Sequence, residues 1–241
     1  MIYYTGDIHG YTFGLYRFCR RVRPTEDDII IILGDVGANY HEDERDHATK
    51  RLLNHMIPTV LCVHGNHEIR PENISTYKTK QWNGGMVWYE EEYPTLLFAI
   101  DGEIYDLDGL IHLVIGGAYS VDKQYRLEKN YGWWADEQPS EEIKNYVEQQ
   151  IHKNSVDVIL SHTCPLRYEP TEMFLPGIDQ TTVDISTERW LDRIEEITDY
   201  KAWFCGHWHI NKRIDKIHFL FDEFESSEQF DRRDDNDICD E

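Results

Sequence analysis

Basic residues are scarce in this 241-residue sequence: 24 Lys and Arg stand against 46 Asp and Glu, a formal net charge of −22. That argues against a basic nucleic-acid-binding domain, because phosphate backbones are held by Lys and Arg displacing counterions. No duplex nucleic acid is expected as a partner. Long apolar runs are missing too; the longest, Ile29 to Leu33, is strand-sized and flanked by Asp28 and Asp35. A membrane span needs roughly 18 unbroken apolar residues, so none is expected. Cysteine is sparse and odd in number: Cys19, Cys62, Cys164, Cys205 and Cys239 lie far apart, which suits free thiols in a reducing compartment. Met1 to Asp7 shows no basic leader followed by an apolar core, and a cytoplasmic location is expected. No Gly/Ser-rich or Pro-rich linker divides the chain and no repeat is visible. The expectation is one domain over residues 1–224, followed by an acidic tail over 225–241. That tail carries eight acidic side chains and two arginines, a composition that reads as solvated, flexible and dispensable.

What is present is an alternation of β-branched runs with amphipathic stretches. Ile2 to Thr5, Ile29 to Leu33 and Thr59 to Val63 read as strands, and about 12–23 and 42–55 as helices. This order implies parallel pairing through right-handed crossovers, with ligands gathering at the carboxyl ends of the strands. From Gly85 to Tyr119 strand-like pieces alternate with turns. Asp101-Gly102 and Asp108-Gly109 are hairpin signals there, and a second, more antiparallel sheet is expected. A capped helix from Ser140 follows, then a strand at Val156 to Leu160, a helix at about 187–198, a strand at Ala202 to Cys205 and a closing strand near Ile214 to Phe221.

Five polar clusters each sit just past an expected strand. They are Gly6-Asp7-Ile8-His9-Gly10, Gly34-Asp35, Gly65-Asn66-His67-Glu68, Ser161-His162 and Gly206-His207-Trp208-His209. Asp7, His9, Asp35, Asn66, His162, His207 and His209 offer carboxylate, imidazole and carboxamide groups suited to a divalent cation, and no thiolate. The spacings 7/9 and 207/209 would put both members of each pair on one side of an extended backbone, with Trp208 turned away. Any one cluster alone is an ordinary turn; five in order at strand ends are not.

Taken together, the set Asp-x-His, Gly-Asp, Gly-Asn-His-Glu, His and Gly-His-x-His resembles the calcineurin-like metallophosphoesterases, over positions 6 to 209. The resemblance implies an α/β fold, a four-layer αββα sandwich of two mixed β-sheets flanked by helices. It also implies two divalent transition-metal ions, Mn foremost, with Fe, Zn or Ni as alternatives. Asp7, His9, Asp35 and His209 would hold the first; Asp35, Asn66, His162 and His207 the second, with Asp35 bridging. Such a pair lowers the pKa of a shared water, and the hydroxide attacks phosphorus in line with the leaving oxygen. His67 is the candidate to donate a proton to the leaving group, which makes His67 and Asp35 the catalytic residues.

The phosphoprotein phosphatases are similar in a further motif, Gly-Asp-x-x-Asp-Arg-Gly. Here Gly34-Asp35 is followed by Val36-Gly37-Ala38-Asn39. Asn39 therefore stands where an arginine would grip phosphate, and Asn does not replace a bidentate Arg. A small phosphate ester or nucleotide-like substrate is expected, a Ser/Thr protein phosphatase being the alternative and a non-catalytic metal-binding scaffold the alternative of another class. Arg70, Tyr119 and Arg126 are the further candidates for substrate contact, with Asn39. Two long segments, Tyr119 to Glu137 and Thr163 to Ile185, are expected as pocket walls. The aromatics of the first could stack a base, or simply pin a long loop.

Overall fold

The computed structural model describes residues 1–228. It opens as expected, with β1 (Ile2–Thr5), α1 (Phe13–Val22), β2 (Ile29–Ile32), α2 (Glu44–Asn54) and β3 (Thr59–Cys62). β1, β2 and β3 pair in parallel, Ile2 opposite Ile29 and Ile29 opposite Thr59. β2 is four isoleucines, of which Ile30, Ile31 and Ile32 have no exposed surface. A strand buried on both faces needs such an unbroken run. Asp43 caps α2 by accepting from the Arg45 amide, and Glu44 and Asp46 sit favourably in its positive first turn.

The middle of the chain departs from expectation. β4 (Lys78–Trp82), β5 (Gly85–Tyr89) and β6 (Leu96–Ala99) extend the first sheet, whereas β7 (Ile104–Leu107) and β8 (Leu110–Ile115) begin the second. Asp101-Gly102 is therefore the crossing between sheets and not a hairpin. Asp108-Gly109 is the hairpin, both residues having positive φ (58° and 81°) as a tight two-residue turn requires. Segment 119–137, expected as an irregular wall, contains α3 (Lys123–Lys129). Next come α4 (Glu141–Lys153), β9 (Val158–Ser161), α5 (Ser186–Ile197) and β10 (Ala202–Cys205). The expected closing strand is a hairpin, β11 (Lys212–Ile214) and β12 (Ile217–Phe219), turning at Asp215. β13 (Glu225–Ser226) lies antiparallel on β1, and Glu225 takes a 2.7 Å hydrogen bond from His218 Nδ1. The expected boundary at 224 is thus displaced: Glu225 and Ser226 belong to the sheet. Residues 229–241, most of the expected tail, lie outside the described residues.

The sheets have the orders β13-β1-β2-β3-β6-β5-β4 and β11-β12-β10-β9-β8-β7. They pack face to face through Tyr4, Ile31, Leu33 and Leu61 against Val114, Leu160 and Phe204, all buried. Because side chains alternate across a strand, Ile30 and Ile32 point outward and meet Leu15, Phe18 and Leu53 of α1 and α2. On the other side Ile159 and Trp203 meet Val147, Trp190 and Leu191 of α4 and α5. Helix, sheet, sheet, helix is the four-layer order expected. Each fully buried Leu or Ile contributes roughly 1.5–3 kcal/mol, so these three clusters hold the strand ends rigidly. Among the described residues no helix is long and apolar enough to cross a membrane.

Candidate metal centre

The carboxyl ends of β1, β2 and β3 in one sheet and of β9 and β10 in the other bring the five polar clusters together. Two glycines make that approach possible. A Cβ on Gly34 would stand 2.2 Å from His162 Nδ1, and one on Gly65 would stand 2.1 Å from Asp35 Oδ1; both are below any real contact. The expected alternation does not operate, however. His9, Asp35, His207 and His209 have φ of 44°, 47°, 65° and 49°, so their side chains converge through left-handed turns and not along extended backbone. For that reason Trp208 is not turned away: it lines the cavity beside His207 and His209 and stacks on Phe174 at 5.9 Å.

All seven expected ligands meet. His9 Nε2 lies 3.0 Å from His209 Nε2 and 3.9 Å from Asp35 Oδ2, and His209 Nε2 lies 3.9 Å from Asp7 Oδ2. On the other side Asn66 Oδ1 is 2.8 Å from His162 Nε2 and 3.0 Å from His207 Nδ1, with Asp35 Oδ1 3.6 Å from His162 Nε2. Asp35 touches both halves. Its Oδ1 also accepts from the His67 amide at 2.8 Å, and Asp7 Oδ2 accepts from the His207 amide at 2.8 Å.

The donor chemistry fits cations. His162 Nδ1 donates to Leu33 O at 2.7 Å, so in the neutral ring Nε2 carries a lone pair. Asn66 Nδ2 donates to Ser120 Oγ at 2.8 Å, which turns Oδ1 toward that same lone pair. Burial lowers the proton affinity of His162 and His209, takes His207 well below its usual range and brings His9 to about 4. Asp7 Oδ1 is buried without a hydrogen-bond partner among the described residues. Burial, then Asp35, holds the Asp7 carboxyl well above the ordinary range; burial opposes ionisation of Asp35 too, but His162, His67 and His9 draw it below that range. Neutral imidazoles and acids crowded on a shared point offer electron pairs to a hard or borderline cation. Asp7, Asp35 and His162 form one compact group, His9, Asp35 and His67 another.

The remaining candidates separate. His67 sits at the cavity edge, its ring nitrogens 2.8 and 3.1 Å from Arg126 Nη2, with Asp122 Oδ1 3.7 Å from Nε2. Asp122 in turn accepts twice from Arg126 Nε, at 2.8 and 2.9 Å. Arg126 is thus brought to His67 and not to the open cavity. Asn39, 1% exposed, accepts from Tyr77 OH at 2.9 Å within the layer under α2 and cannot reach a substrate. Arg70 is locked in a buried pair, Nη1 to Asp101 Oδ2 at 2.7 Å. Tyr119 does not line the cavity, and the aromatics after it pin their loop: Lys123 lies over Trp133 and Trp134 packs edge-on to Tyr40. Ser120 and Asp122 carried no signal in the sequence; their partners Asn66 and His67 lie on a distant segment.

Residues 1–211 match the sequence pattern described as "Calcineurin-like phosphoesterase". The chain belongs to this family. Membership makes it a phosphoesterase and therefore a hydrolase, in a family that usually binds divalent metals. Among solved structures the fold is similar to the TT1561 protein of Thermus thermophilus, at 13% identity and a TM-score of 0.52, covering 91% of this chain and 87% of that one. It is also similar to a phosphopantetheinyl hydrolase of Mycobacterium tuberculosis, at 17% identity and a TM-score of 0.47 over the same shares. Likeness at such identity concerns architecture alone. No curated protein matches the sequence.

Proposed function

We propose that this phosphoesterase hydrolyses a small-molecule or nucleotide-like phosphate monoester or diester at the joined strand ends, with two divalent transition-metal cations. The observation that carries the reading is the convergence of donors on Asp35: His9 beside its Oδ2, with His209 next to His9; His162 beside its Oδ1, with Asn66 and His207 adjoining; and Asp7 within reach of both His209 and His162. A cation pair held there would supply a nucleophile at neutral pH and charge neutralisation at phosphorus.

The chain's own residues do the rest. Ser120 keeps the Asn66 carbonyl aimed inward, and Leu33 O fixes the His162 tautomer; such outer partners orient ligands in general. His67, on the cavity edge, moves the proton: one of its ring nitrogens delivers it to the leaving oxygen. Arg126 steadies that ring, and Asp122 steadies Arg126. Ala38 and Asn39 are buried and present no phosphate grip, which disfavours a phosphoprotein substrate.

The test is hydrolysis of p-nitrophenyl phosphate and its bis-ester by the full chain loaded with Mn, Zn, Fe or Ni, or held in chelator. Cation-dependent release of p-nitrophenolate is expected. No release with any of the four cations would overturn the proposal.

A further inference from the structure

Beside the metal centre, and continuous with it, lies a cavity of about 290 Å³ floored by Asp35, Asn66 and His207. This is just below the roughly 300–1,000 Å³ range of ligand pockets, so only a compact group fits. Its wall is the segment between β9 and α5, whose short 3-10 turns aim Met173, Phe174, Ile178, Val183 and Ile185 inward, with Val121 opposite. Among the described residues no Lys or Arg lines it. The charged groups beyond the floor are acidic: Asp122, already neutralised by Arg126, and Glu169. Among the described residues Glu169 has no basic partner in the cavity; the nearby Arg167 is engaged by Asp192, Glu195 and Glu196. Burial, with Asp192 adding to it, raises the Glu169 carboxyl to about 6, so it is still largely ionised at neutral pH.

Resting on the reading above, we infer that this cavity binds the alcohol portion of the ester, and that the substrate class is a phosphate ester of a compact, mainly apolar alcohol without a second anionic group. The phosphate has a place on the floor, while an apolar chain gains by leaving water along the wall. A second phosphate or carboxylate would enter an apolar space with Glu169 as its charged neighbour and, among the described residues, no Lys or Arg along the wall to pair it. Diphosphates, bisphosphates and carboxylate-bearing esters are therefore selected against.

Phosphonates test this without turnover, since their C–P bond is not hydrolysed. The cation-loaded full chain is titrated calorimetrically with ethyl-, butyl- and hexylphosphonate and with 4-phosphonobutyrate. Each methylene buried should tighten binding about threefold to fourfold until the wall is filled, and 4-phosphonobutyrate should bind at least tenfold more weakly than butylphosphonate. Phe174→Ala should flatten the alkyl series and leave inorganic phosphate binding unchanged, and Glu169→Gln should recover affinity for 4-phosphonobutyrate alone. Equal affinity for butylphosphonate and 4-phosphonobutyrate, an alkyl series without slope, or no phosphonate binding would each overturn the inference. A chain that discriminates phosphonates as stated but hydrolyses no ester would instead count against the proposed activity.

Discussion

The floor of the cavity and its wall are built by opposite means. The floor is made from residues a few positions beyond buried strands, each tied to its neighbours by backbone bonds such as His67 N to Asp35 Oδ1 and His207 N to Asp7 Oδ2. The wall is a long connection of 3-10 turns whose apolar side chains are half-buried or, like Leu175 at 56%, exposed. Chemistry tolerant of no displacement sits on the rigid element, and shape sits on the adaptable one. Reactivity and selectivity should consequently be separable by mutation, and four measurements press on that division.

Asp35→Ala removes the carboxylate common to both donor groups. Cation content should fall to background and turnover should drop by far more than the roughly 100-fold that marks loss of an outer partner; elemental analysis and an ester assay decide it together. Retained cations would dissolve the idea of a shared floor.

Next in size is His67→Ala, expected to cost about 10²- to 10⁴-fold in kcat, as loss of a general acid does, with cation content unchanged. The loss should be greatest for alkyl esters and least for p-nitrophenyl phosphate, whose leaving group needs little protonation. An equal loss across leaving groups would demote His67 to a positioning role.

Ser120→Ala leaves every donor in place and frees the Asn66 amide, the Glu137 carboxylate losing its contact to the same hydroxyl. Cation affinity should fall roughly 10- to 100-fold, measured by competition with a chelating dye, whereas wall substitutions such as Phe174→Ala should leave it unmoved.

The smallest effect concerns the point where the wall rejoins the helix layer. Glu188, 4% exposed in the first turn of α5, is raised to about 7 chiefly by burial. Its folded pKa exceeds its unfolded one, so its contribution is fully present below about pH 4.5 and is lost as pH rises toward 7. Between pH 5 and pH 7 the loss should be about 1–2 kcal/mol. Denaturant melts of Glu188→Gln should lack that part of the wild-type slope; parallel slopes would show that burial of the carboxyl costs nothing.

The same division governs what could be read from the letters. The first three strands, and the meeting of the seven polar side chains at their ends, were legible because isoleucine-rich runs and the clusters after them are local signals. β4 was not, since Lys-Thr-Lys-Gln-Trp is a solvent-facing edge strand with little apolar alternation. Asp101-Gly102 joins the two sheets where a hairpin is expected, because such a pair marks a turn without saying which strands it joins. Asn39 and Arg70 failed as substrate contacts because burial cannot be read from residue type. The company of Asp122 and Arg126 with His67 joins segments far apart in sequence, and no pattern within either segment announces it.

One consequence of the left-handed turns reaches beyond catalysis. Four residues held in a sparsely populated backbone region cost on the order of 1–3 kcal/mol apiece, and two buried acids add mutual repulsion. Whatever cation satisfies those residues offsets that cost only in the native state, so loading should raise the melting temperature and chelation should lower it. Resistance of the polypeptide to unfolding and proteolysis should then be greater with cation added than in chelator.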